Sequence, residues 1–380
     1  MRGVGVELGT VMKVLFGVQG TGNGHISRSR TLARALRRAG VSVDYLFSGR
    51  PADGYFDMEE FGAYRTFPGL TFVSHEGKVS PWRTLQAASP LRFWRDLRAL
   101  DCREYDLIVS DFEPLTAHAA RRLGKPSLTI SHQASFNWSI PRWGEDGVSR
   151  QLMRYFAPVS QPLGLHWFHF GYPLLPPVID AITPAADNGA ILVYLPFEHR
   201  DAISALLSRF NRHTFICFHP GVQSASQWRN IRFEPPCRAG FLAVLAGCRG
   251  VISNAGFELA SEALSLGKKL LVKPLGGQFE QLTNGKTLEL MGLATLMDCL
   301  DANIVRTWLD SQAPGVVCYP NVAAELADWL VAGGQESVSS LSRRLWARTL
   351  FPEEVSDRLS EFVRGETVGN SWLSQVTLVD

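Results

Sequence analysis

Residues 251–282, VISNAGFELASEALSLGKKLLVKPLGGQFEQL, constrain the fold more than any other stretch of the chain. Two short apolar runs, Val251-Ile252 and Leu270-Leu271-Val272, flank a segment with Leu259, Ala263 and Leu266 on one side and Glu258 and Glu262 on another. Runs that short suit buried strands, and the segment between them has helical spacing. The stretch therefore reads as a βαβ unit that ends in a polar, glycine-rich loop over 276–281.

The same alternation recurs on its N-terminal side. In the first half, 14–18 reads as a strand, Gly20-Thr21-Gly22-Asn23-Gly24 as a turn, and 25–39 as a helix packed through Leu32, Ala33, Leu36 and Ala39. On that reading Arg28, Arg30, Arg34, Arg37 and Arg38 fall mainly on the solvated face. Further strands are expected at 41–47, 105–111 and 127–131, a helix at 115–123, and an irregular segment rich in Gly and Pro over 48–89. In the second half, strands at 190–195, 215–218, 231–233 and 250–253 alternate with helices at 198–210 and 241–246. Repeated βα units imply parallel sheets. Pro158, Pro162, Pro173, Pro176, Pro177 and Pro184 mark 157–189 as a stiff linker. The expected fold class is α/β, with two Rossmann-like doubly wound parallel-sheet domains over 12–156 and 190–335. Residues 1–11 are expected to be a leader, and 336–380 a C-terminal helix (341–362) and tail that cross back to the first domain.

Open α/β sheets bind ligands at the carboxyl ends of their strands. His25 opens a helix at such an end, and Asp111 closes another strand at the same edge. A carboxylate there holds an imidazole in one tautomer and raises its basicity, which makes the pair a candidate for acid/base catalysis. Two alternatives stay open: Asp111 or Glu113 caps the following helix, and His132 is a second histidine for the same cleft. Neither common phosphate motif fits, since a dinucleotide fingerprint from Gly20 needs glycine where His25 stands and the Gly-Lys-Ser/Thr of a P-loop is absent. Gly22 and Gly24 still allow close approach of a ligand.

In the second half, the Asn254-Ala255-Gly256 turn leads into a helix start at Phe257 and Glu258, whose unpaired N–H groups suit a diphosphate. Glu262 lies a little over a turn further on, where a carboxylate can accept both hydroxyls of a ribose. Gly277, Gln278, Glu280 and Gln281 supply a loop with amide and carboxylate groups for sugar hydroxyls, and His219 ends another strand on this edge.

With 380 residues, 46% hydrophobic and 19% charged, the chain has the composition of a two-domain globular protein. A formal net charge of +2 is too mild to imply a nucleic-acid partner, although the first half is the more basic. Six scattered cysteines without CxxC spacing point to reduced thiols of a cytoplasmic protein. No apolar run approaches the roughly 18 residues of a membrane span. Residues 90–100, PLRFWRDLRAL, mix Leu91, Phe93, Trp94 and Leu97 with Arg92, Arg95 and Arg98. Such a helix either packs on its own domain or touches anionic lipid at the inner face of a membrane. No Asp-x-Asp pair occurs, which argues against a metal-clamped diphosphate.

From 12 to 335 the chain resembles the glycosyltransferases of the two-domain GT-B fold, especially the group around the bacterial lipid-linked N-acetylglucosaminyltransferase. The segment SNAGFELASEALSLGKKLLVKPLGGQFEQLTNG is similar to that family's donor motif. The resemblance implies that the helix start at Gly256 holds the diphosphate, that Glu262 binds the ribose and that Glu280-Gln281 contact the sugar. GTGNGH is similar to the family's glycine loop ending in histidine, which implies His25 as general base. The peptidoglycan enzyme has two glutamines in place of Glu280-Gln281, so the same sugar is not implied. The expectation is a metal-independent, inverting transfer from a nucleoside diphosphate sugar, UDP-linked, to an acceptor hydroxyl, with a lipid-linked acceptor as one candidate and no cofactor besides the donor. An epimerase or hydrolase of the same fold, and a catalytically silent sugar-nucleotide-binding protein, remain the alternatives.

Overall fold

The computed structural model describes residues 12–70, 74–75, 78–79 and 89–364. The leader expected over 1–11 and the tail beyond 364 lie outside the described residues.

Apolar runs build two sheets. The first contains β1 (Lys13–Gln19), β2 (Ser42–Ser48) and β3 (Tyr64–Phe67), and, after a separate hairpin of β4 (Ser74–His75) and β5 (Lys78–Val79), β6 (Leu107–Asp111), β7 (Ser127–Ser131) and β8 (Gln161–Gly164). Its strands run parallel in the order β3-β2-β1-β6-β7-β8. Val14, Leu15, Phe16 and Val18 on the central strand are wholly buried, each contributing about 1.5–3 kcal/mol over exposure.

The second sheet contains β9 (Ile191–Tyr194), β10 (Phe215–Phe218), β11 (Ser226–Trp228), β12 (Ile231–Glu234), β13 (Gly250–Asn254), β14 (Lys269–Lys273) and β15 (Thr295–Leu296). Its order is β11-β12-β10-β9-β13-β14-β15, parallel except for the antiparallel β11–β12 edge. The α-helices among the described residues are α1 (Asn23–Arg38), α2 (Pro90–Ala99), α3 (Pro114–Leu123), α4 (Gly147–Tyr155), α5 (Arg200–Leu207), α6 (Arg238–Gly247), α7 (Phe257–Ser265), α8 (Phe279–Leu290), α9 (Ala302–Asp310), α10 (Val322–Val331), α11 (Val338–Trp346) and α12 (Glu353–Arg364).

Strand order reverses between β1 and β6 in the first sheet and between β9 and β13 in the second. Crevices open at such switch points. Asp111 ends β6 and His25 follows β1, while Asn254 ends β13 and Tyr194 ends β9. Both switch points thus carry the residue types singled out in the sequence.

Several expectations need correction. The segment 48–89 contains β3, which pairs with β2. The stretch expected as a linker contributes β8 to the first sheet, with Pro162 opposite Thr129. Proline is tolerated there because β8 is an edge strand, so its missing N–H breaks no second ladder. The helix expected over 341–362 is two helices, α11 and α12, separated by residues 347–352, a connection that ends on Pro352 just before α12. The return to the first domain begins earlier: α10 packs on α1. Helix α11 is tied to the connecting segment, where the Leu174 carbonyl accepts from Ser342 Oγ at 2.6 Å and Trp346 Nε1 at 2.7 Å.

Helix α2 packs on its own domain through buried Leu97, and the Phe93 ring lies edge-on to His118 at 6.1 Å. Leu91 and Trp94 stay 87% and 58% exposed beside the outward Arg92, Arg95 and Arg98. No described helix is long and apolar enough to cross a membrane.

Candidate active site

His25 sits in the first turn of α1, its Nδ1 2.8 Å from Asp111 Oδ1. Asp111 is wholly buried and the histidine side chain 14% exposed. Helix α3 is capped instead by Glu113, whose carboxylate accepts from the amides of Leu115 at 2.9 Å and Thr116 at 2.7 Å and from Ser48 Oγ at 2.6 Å. Asp111 is therefore left to the histidine, to Arg28 and, at 3.5 Å, to Ser29 Oγ. Arg28 donates through Nε (3.1 Å) and Nη2 (2.6 Å) to Asp111 and through Nη1 (2.6 Å) to Glu258 on α7. Burial opposes the charge on Asp111, yet Arg28 and His25 hold its carboxyl below the usual carboxylate range.

Arg28 corrects the sequence reading. It is 3% exposed, and Arg30 is 6% exposed with its guanidinium on the Phe56 and Asp57 carbonyls. Arg28 follows His25 by three residues and so shares its face of the helix. That spacing was the available signal.

The two domains meet over this edge. One cleft, with a cavity volume of about 250 Å³, is lined by Gly22, Gly24, His25 and Arg28 from the first domain and by Asn254, Gly256, Phe257, Glu258, Gln278, Glu280 and Gln281 from the second. Glu280 accepts from Gln133 Nε2 at 3.0 Å on both oxygens, and Gln281 Oε1 accepts from the Leu275 amide at 2.8 Å. Asn254 Oδ1, Glu258 Oε1, Gln278 Oε1 and Gln133 Oε1 are buried acceptors with no partner among the described residues. Buried acceptors of this kind suit a ligand rich in hydroxyl donors.

Three helices start at this cleft, α1 on Gly22, α7 on Gly256 and α8 on Gln278, and none has a side-chain cap. Helices α3, α4, α5, α9, α10 and α11 start on Glu113, Asp146, His199, Asp301, Asn321 and Ser337, whose side chains accept from first-turn amides, while α2 and α6 also start without a side-chain cap. Gly256 has φ −76° and open space where a Cβ would stand, so the fold itself does not require glycine there.

A second, more apolar pocket of about 120 Å³ adjoins the cleft and shares Asn23, Gly24, Tyr194, Glu258 and Leu259 with it. Phe218, Pro236, Phe241 and Leu242 give its apolar wall and Glu262 its carboxylate. Glu262 is thus separated from Gly256, across the Glu258-Leu259 turn. Ser27 Oγ donates to it at 3.3 Å and receives a bond from Arg238 Nη1 at 3.0 Å. Burial pushes the Glu262 carboxyl up to about 7, with Arg238 opposing and Asp180 adding.

That shift has a sign. With the folded value above the unfolded one, stability from the protonated form is present in acid and lost as pH rises through about 7. Glu262→Gln carries no such proton. The variant should gain on the parent from pH 5 to pH 9, by on the order of 3 kcal/mol at most. Equal differences in chemical denaturation at the two pH values would contradict this.

Three candidates lie elsewhere. His219 binds locally, its Nε2 3.1 Å from the Glu198 carbonyl and its Nδ1 accepting from the Gly221 amide, and it lines neither cavity. Ala255 is buried behind the turn, where its carbonyl accepts from Asn284. Gly277 takes φ +72°, a conformation that favours glycine, and shapes the loop without lining the cleft. His132 faces the cleft but is 1% exposed, stacked on Phe257 at 4.1 Å, with Nδ1 on the Leu165 carbonyl and Nε2 on Asn284 Oδ1. Both its nitrogens are engaged, so it serves the contact between domains.

The comparisons agree with this architecture. No curated protein matches the chain. Among solved structures, the glycosyltransferase SnogD from Streptomyces nogalater is 18% identical over 85% of this chain and 99% of its own, with a TM-score of 0.50. The glycotransferase of kitacinnamycin is 15% identical over 92% and 98%, with a TM-score of 0.54. UGT89C1 of Arabidopsis thaliana, complexed with UDP, is 13% identical over 94% and 100%, with a TM-score of 0.53. These likenesses establish the GT-B fold. The model described as glycosyl transferase family 1 matches residues 12–312, so the chain belongs to that family of glycosyltransferases.

Proposed function

We propose that the protein transfers a hexose from a UDP-linked donor to an acceptor hydroxyl, with inversion and without a metal, and that His25 is the base. The observation that carries this reading is the convergence of three uncapped helix starts on one cleft. Free N–H groups and the positive ends of helix dipoles there would stabilise a diphosphate as it leaves, each well-placed donor supplying about 3–4 kcal/mol in the transition state.

The nucleoside takes the adjoining pocket, with its base against Phe218, Pro236 and Phe241 and its ribose hydroxyls on Glu262. The sugar lies by Gln278, Glu280 and Gln281. With Nδ1 of His25 held by Asp111, Nε2 is left to receive the acceptor proton. The acceptor oxygen then bonds to the anomeric carbon, the bond from that carbon to the diphosphate breaks, and the nucleoside diphosphate departs. The dyad and the helix start at Gly256 come from opposite domains, an arrangement suited to attack opposite the leaving group.

A thermal-shift screen with UDP, GDP and dTDP tests the donor. UDP at about one hundred times its dissociation constant should stabilise the protein by about 2.7 kcal/mol. A larger shift with either other nucleotide would replace the UDP assignment, and no shift with any would remove the donor site.

A further inference from the structure

Among the described residues, Arg28 joins the His25–Asp111 pair to the second domain through buried contacts. Its guanidinium is a rigid planar fork with fixed donor directions. Two of those donors meet Asp111 and a third meets Glu258, with Arg28, Asp111 and Glu258 at 3%, 0% and 5% exposure. Asp111 Oδ1 is shared: it lies 2.6 Å from Arg28 Nη2 and 2.8 Å from His25 Nδ1, and Arg28 Nη2 itself stands 3.2 Å from that same His25 Nδ1. A movement of Glu258 therefore turns the fork, and the fork carries the carboxylate that orients the histidine.

Little slack exists between the two helices involved. A Cβ on Gly24 of α1 would stand 3.3 Å from the Cβ of Glu258 on α7. The other Glu258 oxygen, Oε1, is buried without a partner among the described residues, and Glu258 lines both the cleft and the adjoining pocket. Glu258 thus stands where a ligand is felt, with its remaining oxygen on Arg28.

We propose that Arg28 is a positioning residue that couples docking of the second domain, through Glu258, to the orientation of His25 by Asp111. The dyad is then aligned only when α7 is seated against α1, so an open molecule lacks an oriented base. Burial accords with this use: one guanidinium between two buried carboxylates balances a single negative charge, Asp111 keeps it, and burial pushes the Glu258 carboxyl up. The proposal rests on His25 acting as the base.

The test compares Arg28→Lys, Glu258→Ala, Glu258→Gln and the Arg28→Lys/Glu258→Ala double variant, with UDP as the ligand. Lysine keeps the charge but cannot bridge both carboxylates as a fork, alanine removes the cross-domain acceptor, and glutamine restores an acceptor oxygen. Turnover in Arg28→Lys and Glu258→Ala should fall about 100-fold, the effect of a displacement near 1 Å, while in Arg28→Lys, whose position does not line the pocket assigned to the nucleoside, UDP affinity stays within about threefold. The double variant should lose no more than the worse single one, and Glu258→Gln should recover most of the loss.

The ring nitrogen chemical shifts of His25 give a readout that needs no acceptor. In the UDP complex they should change in Glu258→Ala and return in Glu258→Gln. Unchanged shifts in Glu258→Ala, or full turnover in that variant, would overturn the coupling, and this arm decides the matter even if Arg28→Lys does not fold. Full turnover in His25→Ala would instead remove the base assignment, which is a separate failure.

Discussion

His25→Ala should lose roughly 10²- to 10⁴-fold in turnover, the usual contribution of a positioned general base, while UDP binds as before. The split follows from the geometry. His25 lines the cleft but not the apolar pocket assigned to the nucleoside, and its Nδ1 is already committed to Asp111. Its removal takes away the proposed proton acceptor and leaves the uncapped helix starts at Gly256 and Gln278 untouched. Initial rates with a verified acceptor, measured in EDTA, together with calorimetry for UDP, separate the two terms. Wild-type turnover in the variant would end the assignment of the base, and a parent enzyme silenced by EDTA would end the metal-independent reading.

The second large effect belongs to Asp111→Ala, which should cost about 3–5 kcal/mol of stability, because it breaks a buried ion pair and leaves Arg28 undercompensated. Asp111→Asn keeps the shape and should cost less. The pH dependence has the opposite sign to that of Glu262. The folded Asp111 carboxyl is held below its ordinary value, so its contribution is present above the unfolded value near 3.9 and is lost as pH falls through the folded one. The gap between the parent and Asp111→Asn should therefore be widest near neutrality and close in strong acid. Urea midpoints at pH 7 and pH 3 measure it, and a gap of constant width would mean that the pair with Arg28 is not what stabilises Asp111.

The sequence was most informative where the signal was local. Strands such as β1 and β14 carry short apolar runs, and α1 and α7 follow glycine turns, so the alternation and hence the α/β class were legible. Edge strands were not. β3 and β8 are short, partly exposed and, in β8, contain Pro162, and only pairing with a neighbour makes them strands. Pairing is a long-range property. The same limit explains the C-terminal error, since the pattern over 341–362 suits a helix but the neighbours that α10 and α11 meet are not written in it.

What the sequence determined by itself was the inventory: parallel βα units, glycine turns at strand ends, a histidine after β1, an aspartate ending β6 and a carboxylate-bearing helix after β13. Tertiary structure alone decided the partnerships. Arg28 reads as a surface arginine until Asp111 and Glu258, 83 and 230 residues away, close on it. Asp111 and Glu113 read as equal candidates for a cap until Glu113 takes the amides of α3. Helical spacing fixes which face a charge occupies, but whether that face meets water or two buried carboxylates depends on the approach of another domain, and no local pattern encodes that approach.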